Sequence, residues 1–257
     1  VKVQYPGVDE AIRGDLDNAG LLFGAMKAMF PGLDPKPLVA ELRERIVEEL
    51  DYRIEADNQR LFADYYRGHP FIHVPEVVGE LSTGRVLTTE LATGARFAEV
   101  KTWSQEQRNL AAETIYRFVF GSLYRLGAFN GDPHPGNYLF HEDGGVTFLD
   151  FGCVKRFEGP FLEELRRLNR AILERDEAGF EAALRATGIL LPGRPYDREA
   201  SWEFFDYHAR PFAKDEVFTF SEQYLLEAGQ TMRLDSIKRF NLPPDLVLFN
   251  RITFGLN

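Results

Sequence analysis

The chain has 257 residues, with 30 Lys and Arg against 40 Asp and Glu, a formal charge of −10. At 44% apolar and 27% charged it has the balance of a globular chain that can bury one large core or build two lobes around a cleft. An acidic chain without a dense Lys/Arg stripe argues against nucleic acid as the main partner. No apolar run approaches the ~20 residues that cross a bilayer, and one cysteine, Cys153, excludes an intrachain disulfide framework.

The chain opens on Val1-Lys2-Val3-Gln4, an alternating strand pattern with no start residue, and closes at Phe254-Gly255-Leu256-Asn257 inside a helical pattern. An excised piece of a longer polypeptide is the expectation. Asp9 is a good N-cap for a helix from about Glu10 to Met29. Asp34 caps a longer helix from Pro35 to about Tyr66, whose apolar stripe is Val39, Leu42, Ile46, Leu50, Ile54, Leu61 and Tyr65. On periodicity alone the opposite face, Glu48, Asp51, Glu55 and Asn58, reads as solvated. Short strands are expected near Val77-Val78 and from Arg85 to Thr89, and Gly94 marks a connector.

The second half is mainly helical. Ser104 with Gln107 forms a capping box for a helix that carries Leu110, Ile115, Phe118, Val119 and Leu123 and that Gly127 ends. A loop then runs from Phe129 to Asn137. Tyr138-Leu139-Phe140 and Val146-Thr147-Phe148-Leu149 read as a hairpin turning at Glu142 to Gly145. From Pro160 helices continue, with breaks at Gly188-Gly193-Pro195 and Pro243-Pro244. The fold class expected is α+β and two-lobed.

The chemistry concentrates in Asn130-Gly131-Asp132-Pro133-His134-Pro135-Gly136-Asn137 and Leu149-Asp150-Phe151-Gly152. Asp132 and Asn137 are five apart in a proline-fixed loop, and the hairpin returns Asp150 beside Asn137. Three oxygen-bearing side chains without a Cys or His cluster make a hard-cation site, best suited to Mg²⁺ shared with phosphate oxygens. Phosphoryl transfer needs such a set. His134, between two prolines, reads as structural, and Cys153 as a small packing residue.

These residues resemble the protein-kinase-like superfamily, and within it the UbiB/AarF (ABC1-type) atypical kinases. Three further segments carry the resemblance: Val1 to Val8, Glu49-Leu50-Asp51-Tyr52-Arg53-Ile54-Glu55-Ala56, and Val86 to Gly94. It implies a kinase-like fold with a partial N-lobe over 1–91 and a helical C-lobe over 92–257. It implies Asp132 as the catalytic carboxylate, Asn137 and Asp150 as Mg²⁺ ligands, and Lys2 on the α/β-phosphates of ATP paired with Glu55. Glu49 and Asp51 would form an acidic pair approaching the nucleotide. Thr89 would be the gatekeeper, with backbone groups of Glu90 and Ala92 facing adenine. Asn130-Gly131 stands where the family has His-Ala. The family's Ala-rich loop and Lys-Gly-Gln element, which precede the Lys strand, lie outside this sequence.

Only about seven residues separate Gly152 from the helix at Pro160, and no Ala-Pro-Glu comes after them, which disfavours a protein substrate. ATP hydrolysis, or transfer to a small or lipid-like acceptor in support of ubiquinone biosynthesis or lipid metabolism, is expected, with a quinone or lipid-like ligand as partner. An aminoglycoside/choline-type kinase explains Gly131-Asp132 equally well, and a nucleotide-sensing scaffold would carry the same motifs. The expected location is cytoplasmic, a bacterial cytoplasm foremost, or peripheral to a membrane through a local patch.

Overall fold

The structure is a computed structural model that describes residues 1–7, 50–157, 159–193, 195–231 and 240–241. Elements are numbered over these residues. The predicted helix from Glu10 to Met29, the first part of the long helix, Glu49, and the Pro243-Pro244 break lie outside them.

The chain forms two compact units, and the described residues up to Phe157 belong to the first. In the first, strand β1 (Lys2–Val3) pairs antiparallel with β3 (Val86–Leu87), Lys2 opposite Leu87. Helix α1 (Tyr52–Tyr65) starts only at Tyr52. Asp51 is extended there and its side chain accepts a hydrogen bond from the Arg53 amide, so the continuous helix expected from Pro35 is interrupted at its cap. The apolar stripe is also corrected. Ile54 and Tyr65 are exposed, whereas Glu55, Ala56, Asn58, Gln59, Phe62 and Ala63 are buried. Of the face read as solvated, Glu55 and Asn58 pack inward, because their polar atoms find partners far along the chain.

Strand β2 (Ile72–His73) runs parallel to β6 (Val146–Phe148), which pairs antiparallel with β5 (Tyr138–Phe140), so the predicted hairpin supplies two strands of a three-stranded sheet with β6 at its centre. A one-turn helix α2 (Phe97–Val100) precedes α3 (Gln105–Gly121), which carries the Ser104/Gln107 capping box. Helix α3 widens into a π-helical turn over Ser122–Leu126 and ends at Gly127, in the left-handed region at φ 71°. Strand β2 went unread in the sequence, and so did two more. β4 (Ala128–Asn130) and β7 (Val154–Arg156) pair antiparallel, Asn130 opposite Val154.

The core of this unit is aromatic. Phe62, Phe118, Phe148 and Phe151 are all fully or almost fully buried. Phe118 stacks on Phe148 at 3.6 Å between ring centroids, and Phe62 lies 5.1 Å from Phe151. The second unit contains α4 (Phe161–Leu173), α5 (Glu177–Ala186), α6 (Arg198–Ala209) and α7 (Glu222–Thr231). Its α4 buries Leu162, Leu165, Leu168, Ala171 and Ile172 at helical spacing, and Phe180 of α5 meets Trp202 of α6 edge-on at 5.0 Å.

Candidate active site

All described site residues lie in the first unit, and two antiparallel pairings assemble them. The hairpin puts Tyr138 opposite Phe148, and the Leu149 amide donates to the Asn137 carbonyl at 3.0 Å, which brings the start of Asp150-Phe151-Gly152 back to the end of the Asp132 loop. The β4–β7 pairing closes the other side, with the Gly131 amide donating to the Cys153 carbonyl at 2.7 Å. The loop itself is braced locally. His134 Nδ1 accepts from the Gly136 amide at 3.0 Å, so His134 has the structural role read from its prolines.

Lys2 is the centre of the charge arrangement. Its Nζ donates to both oxygens of Glu55 at 2.9 Å and to Asp150 Oδ2 at 3.0 Å, and sits 5.1 Å from the Tyr52 ring centroid. Strand β1 holds Lys2 there through β3, and Gln4 Nε2 donates to the Leu50 carbonyl just before α1. Burial works against the ammonium, but the Asp150 and Glu55 carboxylates outweigh it and hold the Lys2 pKa well above its ordinary value. Glu55, only 4% exposed, is pushed up from the usual carboxylate range by burial and by the charge of Asp150, against the pull of Lys2. The three charges are thus interdependent, one cation shared by two carboxylates.

Asn137 Nδ2 donates to Asp132 Oδ2 at 2.7 Å, so the two residues five apart do meet, and Oδ1 is the atom of that amide with the chemistry to ligate a hard cation. Asp150 Oδ1 accepts from the Gly152 amide at 3.0 Å. Burial, with the charge of Asp132 adding to it, pushes the Tyr138 hydroxyl up from its ordinary value. Among the described residues no three His, Cys, Asp or Glu side chains could hold a metal by themselves. The donor set that is present, one carboxylate and one amide oxygen beside a second carboxylate, fits a Mg²⁺ ion that takes its remaining ligands from phosphate and water.

The other expected site residues fall elsewhere. The Asp51 carboxylate is engaged by Arg53 Nε and Nη2 at 2.9 and 2.8 Å, which lowers its pKa, and is not part of the Lys2 cluster. The Glu90 amide donates to the Glu76 carbonyl at 2.9 Å and the Glu90 carbonyl accepts from Thr89 Oγ1 at 3.2 Å. Glu90 and Ala92 line a cavity of about 400 Å³ with Ala63, Tyr66, His73 and His141, and none of Lys2, Glu55, Asp132, Asn137 or Asp150 borders it.

Three residues escaped the sequence reading. Asn130 Nδ2 donates to the Asp150 carbonyl at 2.7 Å while its Oδ1 accepts from the Asp132 amide at 3.2 Å. Asn58 Nδ2 donates to the Phe151 carbonyl at 3.3 Å, and Asn58 Oδ1 accepts from Arg156 Nη2 at 2.9 Å. The signal for Asn130 was its position two residues before Asp132, where the resembled family has histidine. Asn58 was read only as part of a solvated helix face, and Arg156 carried no signal, since their pairing spans 98 residues.

A lysine shared between a helix glutamate and the aspartate of an Asp-Phe-Gly turn places the chain among kinase-like proteins. Its residues 1–184 match the ABC1 atypical kinase-like domain, and the chain belongs to that family, the UbiB/AarF group of atypical kinases. It is 29% identical to the mitochondrial atypical kinase COQ8B of Rattus norvegicus over 222 residues, which is 79% of this chain and 42% of that protein. It is 29% identical to the mitochondrial atypical kinase COQ8 of Saccharomyces cerevisiae over 180 residues, 70% of this chain and 36% of that protein. The chain therefore spans about two-fifths of the length of these relatives. Among solved structures, the Rv3197–erythromycin complex from Mycobacterium tuberculosis superposes with a TM-score of 0.76 at 32% identity, covering 99% of this chain and 66% of that one. No helix among the described residues is long and apolar enough to cross a membrane.

Proposed function

We propose that the chain is the nucleotide-handling part of a UbiB-type atypical kinase. It would bind ATP with Mg²⁺ and either hydrolyse it or transfer its γ-phosphoryl group to a small or lipid-like acceptor, in support of ubiquinone biosynthesis or lipid metabolism. The observation that carries this reading is Lys2 Nζ, held at 2.9 Å from Glu55 and 3.0 Å from Asp150. A cation fixed between two carboxylates is placed to meet phosphate oxygens, and Glu55 keeps it from collapsing wholly onto Asp150.

Asn137 Oδ1 and Asp150 would hold the metal, which when bound neutralises charge on the phosphates. Asp132, oriented by the Asn137 amide, would orient the attacking hydroxyl or water and accept its proton. The stretch after Gly152 supports the acceptor class. Residues 154–156 enter β7 at once and α4 begins at Phe161, which leaves no extended segment to dock a peptide.

Thermal shift with ADP or ATP, with and without Mg²⁺, on the chain and on Asp150→Asn tests the binding half. Stabilisation by nucleotide that grows with Mg²⁺ and loses that growth in the variant is expected. Stabilisation that ignores Mg²⁺ and survives the substitution would remove the metal role. ATP turnover that persists in Asp132→Asn would remove that residue from catalysis, and binding without any turnover would favour a nucleotide-sensing scaffold.

A further inference from the structure

Two inward positions of α1, Asn58 and Phe62, hold one residue, Phe151. Asn58 Nδ2 donates to the Phe151 carbonyl at 3.3 Å, and the Phe62 ring lies 5.1 Å from the Phe151 ring. A spacing of four puts these two side chains on one helix face, with Glu55 three residues before Asn58 on the same face. Glu55 is accounted for by Lys2 and Phe62 by the core. Asn58 is accounted for by neither.

We propose that Asn58 is a positioning residue that locks the backbone of Asp150-Phe151-Gly152 to α1 and so fixes how Asp150 presents its carboxylate to Mg²⁺ and nucleotide. This rests on the nucleotide-binding reading above. Asn58 is 6% exposed, and a buried amide is costly unless both of its ends are paired. Arg156 pairs one end, donating to Asn58 Oδ1 from Nη2 at 2.9 Å and from Nε at 3.3 Å. A guanidinium only donates, so the amide must turn its oxygen to Arg156 and its NH₂ to the Phe151 carbonyl. The orientation of Asn58 is thus imposed from β7, the strand just past Asp-Phe-Gly. Turning Asp150 away from Lys2 would rotate the Phe151 peptide groups and strand a buried carbonyl and a buried amide together. Helix α1 and the Asp-Phe-Gly turn therefore move as one body, and Asp150 stays in register with Lys2 and Glu55 before any ligand arrives.

The test is ADP affinity measured by calorimetry in EDTA and in Mg²⁺ for the chain, Asn58→Leu and Arg156→Gln. Leucine keeps the shape of asparagine and removes the donor. Arg156 is exposed, so its replacement releases Asn58 without opening the core. The expected result is that Asn58→Leu keeps its EDTA affinity within about twofold and loses about tenfold of the gain that Mg²⁺ gives the parent, with Arg156→Gln losing part of the same gain. A general loosening would weaken both conditions in the same proportion, and that outcome overturns the proposal. So does a parent-like Mg²⁺ gain in folded Asn58→Leu. If Asn58→Leu does not fold, Arg156→Gln decides, a diminished gain supporting the role and a parent-like gain overturning it. A parent chain that shows no Mg²⁺-dependent gain at all refutes the nucleotide-binding reading itself, and this inference with it.

Discussion

Asn130 joins the two acidic residues of the site through their backbones: its Nδ2 donates to the Asp150 carbonyl at 2.7 Å and its Oδ1 accepts from the Asp132 amide at 3.2 Å. One buried amide thereby sets the spacing between the catalytic loop and the Asp-Phe-Gly turn. Replacing it with leucine removes both bonds from a part-buried carbonyl and a part-buried amide, at a cost of about 1 kcal/mol. Asn130→Leu is expected to lower both the melting temperature and the Mg²⁺-dependent part of ADP binding. Asn130→His, which offers a ring nitrogen as donor where the family has histidine, should retain more of that binding than leucine. Calorimetry on the two variants checks the order, and equal binding by both would show that the donor to Asp150 is immaterial.

Lys2 makes the stability of the first unit depend on alkaline pH. Its ammonium is held above the ordinary value of 10.5 by Asp150 and Glu55, against burial. Above that value the unfolded chain loses the proton while the folded chain keeps it, so the contribution of Lys2 is complete below about pH 10 and declines as pH rises further. The side chain is 42% exposed, which limits the contribution to about 1 kcal/mol or less after solvent screening. The melting-temperature gap between the chain and Lys2→Met should be constant near neutrality and narrow from pH 10 upward. A gap that widens with alkaline pH would contradict the sign.

Local features of the site were legible in the sequence. The five-residue spacing of Asp132 and Asn137, the hairpin from Tyr138 and the Ser104/Gln107 cap all depend on neighbours within a few residues. The packing of α1 was not. Counting apolar positions favoured Ile54 and Tyr65, yet the partners that make the Glu55 and Asn58 face buried are 53 and 93 residues away. Strands β4 and β7 were missed for a related reason. Unlike β5 and β6 they are not joined by a tight turn, and only their mutual pairing across the catalytic loop and hairpin makes them strands.

The Phe62–Phe151 contact should show strong energetic coupling. Both rings are 0% exposed and their centroids are 5.1 Å apart. Each single change to alanine opens a cavity worth about 3–5 kcal/mol. Because the two cavities merge, the double variant should lose less than the two single losses added together, by about 1 kcal/mol or more. Denaturant unfolding of the four proteins gives the cycle. Strict additivity would mean that the Asp-Phe-Gly ring does not anchor on α1.

The turn of the β5–β6 hairpin is held against α3 at Gly144, and this can be separated from ordinary backbone strain. Gly144 sits at φ 89°, its carbonyl accepts from Thr114 Oγ1 at 2.8 Å, and an added Cβ would lie 2.6 Å from Leu110 Cβ. Gly193, at φ 71°, has nothing within 4 Å of the same added atom. Gly193→Ala should therefore cost only the left-handed penalty, about 1 kcal/mol. Gly144→Ala adds overpacking against a helix, for a total of about 2–4 kcal/mol and a melting temperature lower by roughly 5–15 °C. Since this hairpin returns Asp150 to Asn137, Gly144→Ala should also weaken Mg²⁺-dependent ADP binding while Gly193→Ala does not. Equal losses in the two variants would mean that the approach to Leu110 is relieved without strain and that the hairpin turn does not set the site.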